Sequence, residues 1–380
     1  MHAPLSPTFR SEWCGVAALE SIADEWRALA ARALEPNVFY EPAFALAAAP
    51  VFGADAGAVL VRTAVGRLVG LFPARNGHWR DALTPMLVGW THPYAPLGTP
   101  LIDRDDPEAV IAAWLDHLSG DPTVPAQLLL PLVPEQGAFA DALEMVLARQ
   151  GRRRAAFGRH ERALLAPGTE REKYLERAMS ASKRKELRRQ RRRLEDIAPV
   201  TVTTATGTAD IETALKDFMV LEASGWKGLA GTAIAANPPI KDFVQKAIVG
   251  LATEGHARID RLFLNGTAIA ATITLASGDT AWCWKIGYNE GLARSSPGVQ
   301  LVCDLTDNLL AQSAPLRVDS CAAPGHPMID HVWRERLALS DRLIALRASA
   351  MPFALVCWIE TLRRSATAAA KALRDRIRGR

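Results

Sequence analysis

The chain has 380 residues, 49% of them hydrophobic and 23% charged, with a formal net charge of +4. This is ordinary globular composition with enough chain for two cores, which excludes a disordered, fibrous or disulfide-stapled protein. The positive excess sits in one element: Lys183 to Arg193 carries eight Lys/Arg and one Glu, a local +7 that leaves the rest near −3, so a general nucleic-acid-binding surface is not implied.

In chain order, residues 16–34 read as an amphipathic helix stopped at Glu35-Pro36, and a short helix follows Glu41-Pro42. Residues 59–61 and 68–72 form a hairpin pair around Val65-Gly66, and 86–90 a further strand. The loop 91–100 is rich in Pro and Gly. Asp106-Pro107 opens a helix to about Leu118, with an acidic cap and Pro in the first turn. Strand 127–133, helix 136–150 and strand 154–165 complete an α/β unit. Residues 169–196 are strongly helical and cross to a second unit, in which strand 199–204 is followed by helices 211–224 and 240–253.

The most informative stretch is 257–310. Asn265-Gly266 predicts a type I′ hairpin, since both central residues need positive φ. Ile269, Ala271, Ile273 and Leu275 then share one face. A turn at Ser277-Gly278-Asp279 leads to Trp282, Trp284, Ile286 and Tyr288, again spaced by two. The period then becomes helical with Val302, Leu305 and Leu309. A sheet ending in a Gly-containing loop and a helix N-terminus offers N–H groups and a positive dipole end to an anion, which points to a phosphate-bearing donor. Ser296 reads as the N-cap, Pro297 as the first helical residue, Gly298 as the point of close ligand approach and Arg294 as the counter-charge; an ordinary capped helix is the alternative. Strands 316–319 and 341–346 and a closing helix 352–378 end the chain. The basic tail beyond Arg363 reads as an amphipathic helix or a frayed end.

Cys14, Cys283, Cys303, Cys321 and Cys357 are odd in number and widely separated, which fits reduced thiols in a cytoplasmic protein and no cysteine metal site. No apolar run approaches the roughly 20 residues needed to span a bilayer. A soluble protein is expected, with peripheral membrane contact left open.

The halves echo each other in element order, but the first-half loop Pro93-Tyr94-Ala95-Pro96-Leu97-Gly98 lacks the Arg-Ser-Ser cluster of the second. Several pieces together resemble a known family. They are Glu25-Trp26, Phe39 to Phe44, the basic helix 182–194, Glu222 to Gly228, Ile286-Gly287-Tyr288 through Ser296-Pro297-Gly298, and Asp319-Ser320-Cys321 with Gly325 to Trp333. Their order resembles the Gcn5-related N-acetyltransferase (GNAT) fold in a tandem, FemAB-like arrangement, and more closely the CelD-like acetyltransferases of exopolysaccharide synthesis. Two departures stand out. The family loop Arg/Gln-x-x-Gly-x-Gly/Ala is one residue longer here with a single Gly, and the FemAB-like Tyr-Lys pair falls on Ile329 and Asp330.

The resemblance implies two tandem GNAT-like α/β domains, with mixed sheets flanked by helices. The expected domains are 1–168 without a donor site, 169–198 as a basic linking helix, 199–350 as the catalytic domain and 351–380 as a terminal helix. It implies an acyltransferase using acetyl-CoA, with no metal, on an amine or hydroxyl of a small or sugar-linked acceptor. Arg294, Ser295, Ser296, Gly298 and Val299 would hold the donor. Trp226, Lys227, Trp284 and Tyr94 would face the acceptor, each with a bland alternative as helix stop or core aromatic. Asp319 and His326 are the first choices for a base, and Tyr288 for the acid that protonates a leaving thiolate. His326, Asp330 and His331 lack metal-site spacing. Two alternatives remain: an aminoacyl transferase using charged tRNA, served by the basic helix, and a non-catalytic accessory of polysaccharide synthesis.

Overall fold

A computed structural model describes residues 9–77, 83–168 and 171–378, the side chains of 375–378 excepted. Thr169, where the linking helix was expected to begin, and the side chains of Arg376, Arg378 and Arg380 lie outside the described residues. The elements through the first half are β1 (Phe9–Gly15), α1 (Ala23–Ala31), α2 (Pro42–Phe52), β2 (Ala56–Thr63), β3 (Leu68–Asn76), β4 (Leu87–Gly89), β5 (Leu101–Ile102), α3 (Pro107–Gly120), β6 (Gln127–Pro134), α4 (Ala138–Arg149) and β7 (Arg154–Leu165). There follow α5 (Tyr174–Ala178), α6 (Ala181–Glu195), β8 (Val200–Ala205), α7 (Thr208–Ser224), α8 (Trp226–Leu229), α9 (Pro238–Thr253), β9 (Ala257–Leu264), β10 (Thr267–Ser277), β11 (Thr280–Tyr288), α10 (Pro297–Leu310), β12 (Arg317–Asp319), β13 (Glu335–Ala345) and α11 (Phe353–Arg378). The fold is mixed α/β, as expected.

The chain divides into two compact units. Unit 1 comprises Met1–Tyr40, Phe52–His160 and Ala338–Arg380, and unit 2 comprises Glu41–Val51 and Glu161–Leu337. The linear boundaries at 168, 198 and 350 do not coincide with this division. The reason is β13: its Leu339 to Ala345 pair antiparallel with Pro134 to Gln127 of β6 and so complete the sheet of unit 1.

In unit 1, β1, β2, β3 and β4 pair antiparallel in succession, and β4 pairs parallel with β6. Trp114, Leu115, Phe139 and Leu143 of α3 and α4 pack on Val61, Phe72 and Leu128 of the sheet. β1 was not foreseen. It is an edge strand with most side chains exposed, so it lacks the apolar alternation that announces a strand. It takes up the chain before residue 16, and residues 16–34 shrink from one long helix to a 3-10 turn, Val16–Ile22, and the nine-residue α1.

In unit 2, β8, β9, β10 and β11 form an antiparallel meander; β11 pairs parallel with β12, and β12 antiparallel with β7. Asn265 (φ 50°) and Gly266 (φ 73°) form the expected left-handed turn between β9 and β10. Residues of β11 alternate between two cores. Ala281 and Cys283 pack with Val302, Leu305 and Leu309 of α10, the stripe read from the sequence. Trp284, on the other face, meets Phe44 edge-on at 5.7 Å, and Phe44 meets Phe243 of α9 at 5.4 Å. β11 is therefore a central strand, held on both faces and ending at the mouth described next.

Candidate active site in unit 2

The parallel pairing of β11 and β12 lasts three residues: Thr280, Ala281 and Trp282 lie opposite Arg317, Val318 and Asp319. The chain then turns away from β11. Asp319 Oδ1 accepts the Cys321 amide at 2.9 Å, and Cys321 takes a left-handed φ of 52°. β11 continues to Tyr288 alone on that side, and a cavity of about 600 Å³ opens there. Its wall comprises β11 from Cys283 to Tyr288, the turn after β12, the start of α10, His326 with Met328, and Trp226 with the first lysine of α6, Lys183. A bulge adds to the irregularity. The register with β10 passes from Ile273/Lys285 to Thr274/Cys283, so Trp284 is the extra residue and lies outside the regular ladder.

The start of α10 differs from the expectation. Ser296 lies in the left-handed region (φ 48°, ψ 49°) and its hydroxyl caps nothing. Its carbonyl accepts the Gln300 amide at 3.0 Å, and the Gln300 side chain donates to the Ser295 carbonyl at 2.6 Å. The Gly298 and Val299 amides have no acceptor among the described residues. Gly298 itself leaves no room for a ligand at its α-carbon. A Cβ there would stand 3.0 Å from Met328 Cε and 3.2 Å from Tyr288 Cδ1, so a larger residue would ask these side chains to give by a few tenths of an ångström.

Of the residues singled out from sequence, Tyr288, His326, Ser296, Gly298, Val299, Trp226, Lys227 and Trp284 line this cavity; Asp319, Arg294, Ser295 and Tyr94 do not. Asp319 is 2% exposed and ion-paired with Arg162, itself 3% exposed, so its carboxylate is committed to a buried guanidinium away from the cavity wall. Lys227 donates to Glu222 at 2.6 Å, and the other Glu222 oxygen accepts the Ile234 amide at 2.9 Å. Its ammonium is thus already matched by a carboxylate. Trp226 is 62% exposed, and its amide donates to Glu290 Oε1 at 3.0 Å. Arg294 is exposed on the 3-10 turn Glu290–Ser295 that precedes Ser296. Tyr94 belongs to unit 1, beside Phe52.

His326 Nδ1 receives the Met328 amide at 3.4 Å, which puts the proton of the neutral ring on Nε2. Burial pushes this imidazole below its ordinary range, against the opposing charge of Asp330. The neutral ring is thereby favoured, with its Nε2–H left without a partner among the described residues. The thiols of Cys321 and Cys283 are pushed up by burial, the latter to about 12, so neither offers a thiolate.

Sequence reasoning missed Lys285. It lies on β11 between Trp284 and Ile286, lines the cavity, and holds its ammonium 5.4 Å from the Trp284 ring. Burial, aided by the positive charge of Lys227 and opposed by Glu222, lowers it from 10.5 to about 8. The signal was a charge inside the otherwise apolar run 281–286, which only desolvation makes chemically useful. Lys183, Lys227 and Lys285 are three cations on a wall that includes no Asp or Glu. His326, Asp330 and His331 do not meet as a ligand set among the described residues. Glu41, Glu254 and His256 bring ligand atoms within 4.8 Å of one another, with His256 Nδ1 2.9 Å from Glu41.

Residues 181–322 match the family model of the acetyltransferase (GNAT) domain. A search of curated proteins gave no match. Among solved structures, the chain is similar to a conserved protein of unknown function from Bacteroides thetaiotaomicron VPI-5482, at 11% identity over 90% of this chain and 100% of that one, with a TM-score of 0.54. It is similar to the C-terminal domain of a putative lysylphosphatidylglycerol synthetase from Agrobacterium fabrum, at 11% identity over 87% and 93%, TM-score 0.52. It is similar also to FemX, at 8% identity over 85% and 95%, TM-score 0.55. At these identities the structures speak to fold alone. No helix among the described residues is long and apolar enough to cross a membrane.

Proposed function

We propose that this chain, which carries a GNAT-type acetyltransferase domain over residues 181–322, transfers an acyl group from a coenzyme A thioester, most simply acetyl-CoA, to an amine or hydroxyl of a small or sugar-linked acceptor. The observation that carries the reading is the early parting of β11 from β12 beside the uncapped start of α10. Beyond Trp282 the edge of β11 offers amides and carbonyls to an amide-bearing carrier arm. The Gly298 and Val299 amides, at the positive end of a 14-residue helix, suit a diphosphate, with Arg294 as counter-charge. Lys183 adds a cation to this wall, whose Lys227 is already matched by Glu222.

The thioester, when bound, supplies the electrophilic carbonyl. The chain's own residues supply the rest. Main-chain amides near the Trp284 bulge stabilise the developing oxyanion. Lys285, close to half-neutral near pH 8, takes the proton from the acceptor's attacking nitrogen or oxygen. Tyr288 gives a proton to the leaving sulfur, and His326 orients the acceptor through Nε2–H. The base thus moves from Asp319 to Lys285.

Isothermal titration with CoA and acetyl-CoA tests the reading. Saturable binding is expected, with Kd raised at least about tenfold in an Arg294→Ala/Ser296→Asp variant, a loss of about 1.4 kcal/mol. Unchanged affinity in a folded double variant removes the site.

A second reading, transfer of an aminoacyl group from charged tRNA, is favoured by one observation. Lys185, Arg188 and Arg192 of α6 are exposed and have no carboxylate partner among the described residues. It requires a salt-sensitive tRNA affinity that collapses when Arg188, Arg189, Arg192 and Arg193 are neutralised. Product formation with either donor separates both readings from a non-catalytic accessory role in polysaccharide synthesis.

A further inference from the structure

The geometry points to α11 as an interfacial helix that lays its outer face on an anionic lipid bilayer. Its first turns are anchored in unit 1. Val356 packs with Val88, Leu129 and Leu343, and buried Glu360 accepts from Arg363 Nη2 and Arg364 Nε at 2.6 Å each. Arg364 also donates to Asp341 at 2.7 Å and lies over the Phe157 ring. These contacts fix which side of the helix faces the unit.

The other side is apolar and uncovered. Leu355 is 44% exposed, Trp358 60%, Leu362 48% and Leu373 60%. Ala366 and Ala369, both exposed, fill the positions between. The steps along Leu355, Trp358, Leu362, Ala366, Ala369 and Leu373 are three, four, four, three and four, an eleven-residue repeat. Eleven residues advance a straight helix by three turns and only about 20°, so the stripe stays on one side for about 27 Å. A left-handed helix pair is specified by a seven-residue repeat instead. From Ser365 to Arg374 every described side chain is exposed. A segment of this length is marginal as a free helix in water and needs a surface to settle it.

Charge decides which surface. After Arg364 the sequence carries Lys371, Arg374, Arg376 and Arg378 against one acid, Asp375. A Trp- and Leu-bearing stripe on a net-cationic helix matches acyl chains beneath anionic headgroups. A bare polyanion would leave the stripe unmatched. The helix is too polar to span and so lies along the surface.

Co-sedimentation of the full chain with phosphatidylcholine vesicles containing 30% phosphatidylglycerol, and with pure phosphatidylcholine, tests this. Binding is expected to the anionic vesicles only, weakened at least tenfold by 0.5 M salt. Neutralising Lys371 and Arg374 to Gln is expected to lower partitioning by on the order of thirty-fold. Leu362→Asp/Leu373→Asp is expected to abolish it while circular dichroism and the unfolding midpoint stay near wild type, since both positions are exposed. The blue shift of tryptophan emission on vesicle addition should vanish in Trp358→Phe. Failure to sediment with anionic vesicles, equal binding to neutral ones, or a dimer in analytical ultracentrifugation that Leu362→Asp dissolves would each overturn the proposal.

Discussion

Each unit places a helix after a strand that has a short parallel partner, and the two helix starts differ. In unit 1, the Asp106 carboxylate accepts the Ala109 amide at 3.4 Å and caps α3. The strand edge beside the β4/β6 pair is covered by the chain itself. Gly98 donates to the Leu132 carbonyl at 3.1 Å, and a Cβ on Gly98 would fall 2.0 Å from the Pro131 oxygen. Asn37 holds that loop by donating to the Thr99 carbonyl at 2.8 Å. In unit 2, a left-handed Ser296 leaves α10 uncapped, and a cavity lies where a loop would have closed the edge. On the proposed reading, an anion site is made by withholding a cap as much as by adding a cation, because a carboxylate at a helix start takes up the amides and dipole that a phosphate would use.

The severest way to break this contrast is to undo the anchor of β12. Asp319→Ala strands the buried Arg162 charge and should lower stability by about 3–5 kcal/mol in urea unfolding. A loss below about 1 kcal/mol would mean the pair is solvated in solution.

Next comes Lys285→Met. A lysine lowered from 10.5 to about 8 binds fewer protons folded than unfolded across that interval, so wild-type stability should rise as pH climbs from 8 to 10. The variant should flatten that rise and gain up to about 3 kcal/mol at pH 7. It should also lose the acyl-transfer limb that rises toward pH 8. Retention of that limb would remove Lys285 from the chemistry.

The contrast itself is sharpened by a matched pair. Ser296→Asp gives unit 2 the acidic residue of unit 1, and Asp tolerates the left-handed backbone. Donor affinity should fall tenfold or more with stability nearly unchanged. Asp106→Ala, the smallest change, should cost about 1 kcal/mol of stability and leave donor affinity alone. A loss of affinity from Asp106→Ala instead would place the donor elsewhere.

Where local chemistry decides, the sequence was a good guide. Asn265-Gly266 demanded its turn, Asp106-Pro107 its helix start, and Val302, Leu305 and Leu309 their buried face. It failed where a neighbour distant in the chain decides. Asp319 reads as a base until Arg162, 157 residues earlier, is seen against it. Ser296 had the right residue type for a cap, but it takes a left-handed backbone after a 3-10 turn and its side chain makes no cap hydrogen bond. Lys285 went unnoticed because one charge in a strand acquires meaning only from what desolvates it.

The interleaving of the two units bears on the order in which they come into being. On the ribosome, β6 must wait roughly two hundred residues for the antiparallel neighbour supplied by Ala338–Ala345, whereas the last segment of unit 2 ends at Leu337. The unit whose strands begin to appear first is therefore the later to be completed. A nascent chain halted shortly before β13 would hold every segment of unit 2 while the β6 edge of unit 1 still lacked its mate.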